Sequence, residues 1–115
     1  MFSVVFYKNE RGEKPALEFI LSIKDAKLKA KAFRSLKLLE TFGNKLGEPD
    51  TAPLRDGIFE LRTIQGNNIV RTLYFYHKNS IVVVTNSFIK KTKKTPSRDI
   101  RTALERKEKY ERGKN

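Results

Sequence analysis

A chain of 115 residues has room for one core and buries roughly 65% of the surface its unfolded form exposes, so residues 1–115 are expected to form a single domain. With 38% apolar and 33% charged residues and no cysteine, it has the composition of a folded domain with a strongly solvated surface, and disulfides and thiolate zinc sites are excluded. The net charge of +12 is unevenly divided, +3 over residues 1–57 and +9 over residues 58–115, which predicts a polyanionic partner on the C-terminal half.

In chain order, the β-branched and aromatic run FSVVFY at residues 2–7 predicts a short strand. Pro15 suits the first position of a helix, and Ala16, Leu17, Ile20, Leu21 and Ile23 follow at helical spacing. Asp25 can cap a second helix whose stripe is Leu28, Ala32, Phe33, Leu36, Leu39 and Phe42, with Gly43 closing it. Residues 44–57 hold Gly47, Pro49, Pro53 and the pair Asp56-Gly57 and read as a loop, pinned by Leu46 and Leu54. Strands are predicted at 58–63, 69–76 and 81–88, joined by short connections rich in residues that tolerate positive φ, so that they form an antiparallel meander. Thr95 and Pro96 mark the start of a last helix with Ile100, Ala103 and Leu104 on its inner face, fraying from Glu111.

The fold class is thus α+β: a strand, a two-helix hairpin, a three-stranded meander whose edge the first strand joins, and a C-terminal helix. All the helices are expected on one sheet face. The longest unbroken aliphatic run, residues 81–84, is far too short to span a bilayer, and the basic segments lack the aromatic stripe of an interfacial helix. Residues 1–7 do not resemble a secretory signal. A cytoplasmic protein without a membrane partner is expected.

Residues 88–96, FIKKTKKTP, place Lys90, Lys91, Lys93 and Lys94 with the hydroxyls of Thr92 and Thr95 between a strand end and a helix start. Ammonium groups, hydroxyls and free helix N–H groups suit phosphate oxygens, although a solvated charged loop has the same composition. On the meander, alternation sends Glu60 and Arg62 to one face and puts Arg71 beside Leu73 and Phe75, where a charge needs compensation. Arg71 either pairs with Glu60 across the hairpin or forms with Arg62 a rigid, permanently protonated pair for a phosphate. His77, the only imidazole, falls at a hairpin tip away from these groups. No carboxylate cluster has metal-ligand spacing and no phosphate-binding glycine loop is present, so neither metal nor cofactor is expected.

The stretches 54–62 (LRDGIFELR), 70–75 (VRTLYF) and 88–96, followed by Ile100 and Ala103, resemble the RelE/ParE toxin superfamily, and more narrowly its phage-derived, HigB-like branch. The resemblance implies a RelE-like fold and the toxin of a type II toxin–antitoxin pair: a metal-independent endoribonuclease that cuts mRNA on the ribosome. The substrate's 2′-hydroxyl attacks the adjacent phosphorus and leaves a 2′,3′-cyclic phosphate. By position, Arg71 matches the strand arginine that grips the scissile phosphate, and Arg62 a basic residue near the 2′-hydroxyl. Lys90 or Lys91 matches the cation facing the transition state or the leaving group. Lys93, Lys94, Thr92, Thr95 and Arg55 would bind the RNA backbone. Ser97 stands near where RelE itself has a tyrosine. The resemblance further implies a HigA-like helix-turn-helix antitoxin, with operator DNA bound only through it. Two other readings of the same residues are a ParE-like toxin directed at gyrase and a non-catalytic basic module that binds nucleic acid.

Overall fold

In a computed structural model of the chain, residues 1–90 and 93–113 are described. Five strands form one mixed sheet: β1 (Ser3–Phe6), β2 (Thr51–Arg55), β3 (Ile58–Gln65), β4 (Asn68–His77) and β5 (Ile81–Ile89). The order is β1-β5-β4-β3-β2. The three helices are α1 (Pro15–Leu21), α2 (Ala26–Phe42) and α3 (Ser97–Gly113). The candidates Lys91 and Thr92 lie outside the described residues. No described helix is long and apolar enough to cross a membrane.

The α+β class and the element order are those expected, with two corrections. The segment 44–57 is not all loop, because residues 51–55 form β2, antiparallel to β3 with Thr51 opposite Leu61 and Pro53 opposite Phe59. Proline lacks an amide proton and is tolerated there because β2 is an edge strand. The helices also do not share one face. Leu28, Ala32, Leu36 and Leu39 of α2, with Ala16 and Ile20 of α1, pack on Leu61, Val70, Tyr74, Val82 and Val84. Ala103 and Leu104 of α3 pack on Ile58, Leu73, Phe75 and Val83 instead. Strands buried on both faces explain the long apolar runs of β4 and β5, and α3 must cross to the face opposite α1 and α2 because the latter is filled.

Local chemistry accounts for the elements. The Asp25 side chain accepts hydrogen bonds from the Lys27 and Leu28 amides at 2.9 and 3.1 Å, capping α2. Gly43, with φ +52°, ends α2 against the Phe2 ring, which occupies the space a Cβ would need. Lys78 and Asn79, both at positive φ, lie in the three-residue turn 78–80 from β4 to β5. Leu46 packs on the core below α2 and Leu54 on the core below α3, as their pinning role requires. β1 joins the far edge in parallel with β5, Val4 opposite Val82.

One irregularity positions the rest. In β5, Asn86 stands opposite Leu73 and Val84 opposite Tyr74, so Thr85 is the extra residue of a β-bulge. Its carbonyl accepts from Arg106 Nη1 at 2.8 Å, and the Asn86 amide donates to the Asp99 carbonyl at 3.2 Å. These bonds hold α3 against β5 at two points, the first turn through Asp99 and a later turn through Arg106.

Candidate phosphate-binding site

At that end of the sheet, the α3 face is polar. Arg62 and Arg71 are directly opposite each other on β3 and β4, an arrangement of like charges that is unfavourable unless something lies between them. Glu60, two residues back from Arg62 on the same face, supplies it. One of its oxygens, Oε2, accepts from Arg62 Nε at 2.7 Å and from Arg71 Nη1 at 2.9 Å. Its other oxygen accepts from the Thr95 hydroxyl, which ties the start of the α3 segment to the sheet.

Burial separates the two arginines. Glu60 and Arg71 are 1% and 2% exposed, whereas the Arg62 side chain is 27% exposed. Arg62 also reaches outward, its Nη1 lying 3.2 Å from Glu48 Oε1. The Glu60 hydrogen bond is the main reason that the Arg62 guanidinium is held above its ordinary range, helped by Glu48 and opposed by desolvation. Arg62 is therefore a permanent, anchored surface cation over a buried ion pair. The alternative that Arg71 pairs with Glu60 across the hairpin is what the geometry contains. Arg71 has no open approach to a ligand, and its charge acts on the surface through Glu60 and Arg62.

The other candidates are distributed around this cluster. The Lys90 amide donates to the Ile69 carbonyl at 3.1 Å, which fixes its backbone beside β4, and its side chain is half-buried. Lys93 and Lys94 are exposed on the segment that carries Thr95, so they share the sheet end with Arg62. Arg55 does not join them: it stands opposite Ile58, paired with Asp56 at 3.0 Å, four residues along β3 from Arg62, a rise of roughly 13 Å. His77 ends β4 against the Tyr110 ring, at a centroid distance of 5.2 Å. Six residues of strand, roughly 20 Å, separate it from Arg71.

Two participants carried little signal. Glu48 lies in an irregular stretch with no periodicity, and its contact with Arg62 spans fourteen residues. Asn86 reads as an ordinary strand residue until the bulge redirects it. Among the described residues no group of His, Asp and Glu is placed to hold a metal ion. Chemically, the cluster can attract a phosphodiester and stabilise added charge on it through fixed cations.

Residues 20–108 match the sequence model of the family described as phage derived protein Gp49-like (DUF891). No curated protein matches the chain significantly.

Proposed function

The chain belongs to the Gp49-like family, a phage-derived, toxin-like family related to the RelE and ParE toxins, and on that premise we propose that it is the toxin of a type II toxin–antitoxin pair that cuts mRNA on the ribosome. The observation that carries the reading is the anchored Arg62 cation, held by a Glu60 carboxylate to which Thr95, next after Lys93 and Lys94 in the chain, is also bonded. A non-specific basic surface has no need to fix one guanidinium on a buried carboxylate.

In this proposal the 2′-oxygen of one nucleotide bonds to the adjacent phosphorus and the bond to the 5′-oxygen breaks. The 2′ proton passes to water, and the departing oxygen takes one from solvent or from Lys90. Negative charge accumulates on the phosphorane, where Arg62 and Lys90 or Lys91 oppose it more strongly than in the ground state. Arg71 is a positioning residue: with Glu60 it sets the angle at which Arg62 meets the phosphate. Lys93, Lys94 and Thr92 hold the flanking backbone. Thr95 instead joins that segment to Glu60.

The two carboxylates beside Arg62, Glu48 and Glu60, are engaged as its ion-pair partners, so in this reading the ribosome supplies the attacking geometry. Orientation of this kind is worth on the order of 7 kcal/mol or more. The partners in this reading are mRNA, the ribosome and a cytoplasmic HigA-like antitoxin that carries any operator binding.

The test is primer extension on a translated message with and without ribosomes. Breaks within codons are expected only with ribosomes, and Arg62→Ala should slow them by roughly 10²–10³. Equal cleavage of naked RNA, or an intact message beside arrested growth, refutes the proposal; the latter outcome with DNA damage favours the gyrase-directed reading.

A further inference from the structure

Beyond the two arginines, the sheet face on which α3 packs ends in an apolar pair. The register of β3 and β4 is regular there: Glu60 stands opposite Leu73, Arg62 opposite Arg71 and Ile64 opposite Ile69. Residues two apart on a strand share a face, so the isoleucines lie on the face of the arginines, one rung of roughly 7 Å further out. Thr63, between Arg62 and Ile64, turns the other way, its hydroxyl bonded to Ser35 of α2 at 2.9 Å. Ala103 and Leu104 of α3 pack with Ile58, Leu73, Phe75 and Val83, a cluster that includes neither isoleucine. Ile64 is accordingly 53% exposed and Ile69 half-buried.

The backbone of the pair is held on both strands. The Ile64 carbonyl accepts from Lys31 Nζ at 3.3 Å, and the Ile69 carbonyl from the Lys90 amide at 3.1 Å. Cross-strand packing accounts for two β-branched residues that face each other. It does not account for an apolar surface left open beside Arg62 and Lys90, where a polar pair would close the hairpin equally well.

We propose that Ile64 and Ile69 seat the nucleobase next to the phosphate held at Arg62, and that they do so by stacking contact without reading which base it is. A nucleotide whose phosphate meets Arg62 carries its base within reach of the next rung. The faces of a base are apolar, and contact with them tolerates any sequence. Isoleucine side chains offer no hydrogen bond to a base edge, and alternation turns the amide groups of Gln65 and Asn68 to the opposite face. The inference rests on the ribonuclease reading for the kind of ligand and deepens it: RNA should be cut with little base preference at this position.

Adenosine 5′-monophosphate and ribose 5-phosphate, which carry the same phosphate with and without a base, are the probes. In methyl NMR spectra of the full chain, the first should shift the Ile64 and Ile69 methyls by its ring current, and the second should not. The base should tighten binding about tenfold, and guanosine 5′-monophosphate should match the adenosine compound. Ile64→Thr keeps the β-branch at an exposed position; it should remove that tenfold gain and leave the affinity for ribose 5-phosphate unchanged, whereas Ile64→Phe should retain the gain. Arg62→Ala should weaken both phosphates alike. Unmoved methyls, equal affinities for the two probes, or a strong preference for one purine each overturn the proposal. So does a dimer in sedimentation that Ile64→Thr dissolves, which assigns the pair to a second copy of the chain. None of these measurements needs cleavage. Shifted methyls beside an intact ribosome-bound message leave the base seat standing and refute the ribonuclease reading; a cut message with unmoved methyls does the reverse.

Discussion

Replacing Glu60 by Gln keeps the size of the side chain and removes its charge. The consequence follows from what Glu60 touches. Arg71, at 2% exposure, has its Nη1 bonded to Glu60, and Arg62 stands directly across the ladder from it. Without the carboxylate, a desolvated guanidinium faces a second one. Breaking a buried pair in this way costs about 3–5 kcal/mol, a large part of the 5–15 kcal/mol that a domain of this kind typically has. At about 4 °C per kcal/mol, Glu60→Gln should melt some 12–20 °C below the parent by circular dichroism. The urea midpoint should fall by roughly 2–3 M if the slope is near 1.5 kcal/mol/M. Replacing both buried partners, Glu60→Leu with Arg71→Met, should recover most of that loss, since apolar groups of similar volume commonly substitute for a buried ion pair without cost. The recovered variant should still cleave poorly, because Arg62 has lost its anchor. A Glu60→Gln protein that unfolds with the parent would refute the claim that this carboxylate neutralises the pair.

Burial, followed by the neighbouring Tyr76, raises the Tyr74 hydroxyl well above the ordinary tyrosine value. Since the folded state favours the protonated form, Tyr74 contributes stability that is complete below about pH 10 and is lost as pH rises towards its folded value. Tyrosinate absorbance should show a late-titrating component that Tyr74→Phe removes, and its persistence in that variant would count against the assignment. Gly43→Ala forces a Cβ onto the Phe2 ring at a positive φ, and a loss of at least about 2 kcal/mol in urea unfolding is expected; an unchanged midpoint would mean that α2 can end elsewhere.

How much of this was legible in the sequence depends on the range of the interactions. The Asp25 cap, the Gly43 terminus and the turn at Lys78 and Asn79 are local chemistry, and each is where the residues predict. β2 was missed although its strongest signal was present: Asp56 and Gly57, both at positive φ, make the hairpin turn into β3 that an Asp-Gly pair favours. Pro53 masked it, since proline argues against a strand everywhere except at an edge, and being an edge is a property of the sheet order, which a local window does not contain. The two-faced sheet was hidden for a related reason. Near-continuous apolar runs in residues 69–76 and 81–88 fit burial on both sides, but nothing local says which helix covers which face. Glu60, Arg62 and Arg71 were readable as a group because their alternation is regular. Their unequal exposure was not, because it depends on Thr95 and α3, and Thr95 is 35 residues from the Glu60 it bonds.

That unequal exposure also bears on how a basic protein can be selective. A net charge of +12 attracts any polyanion, and attraction of that kind fades with salt because it rests on counterion release. A cation whose angle is set by a buried carboxylate behaves differently: the protein has already met the ordering cost, and the geometry survives when long-range attraction is screened. Salt should therefore weaken the capture of RNA far more than it slows cleavage of RNA already in place. Single-turnover cleavage of ribosome-bound message at rising ionic strength separates the two steps. A cleavage rate constant that falls as steeply as the binding constant would mean that Arg62 acts only as one more mobile charge, and that its attachment to Glu60 serves the fold alone.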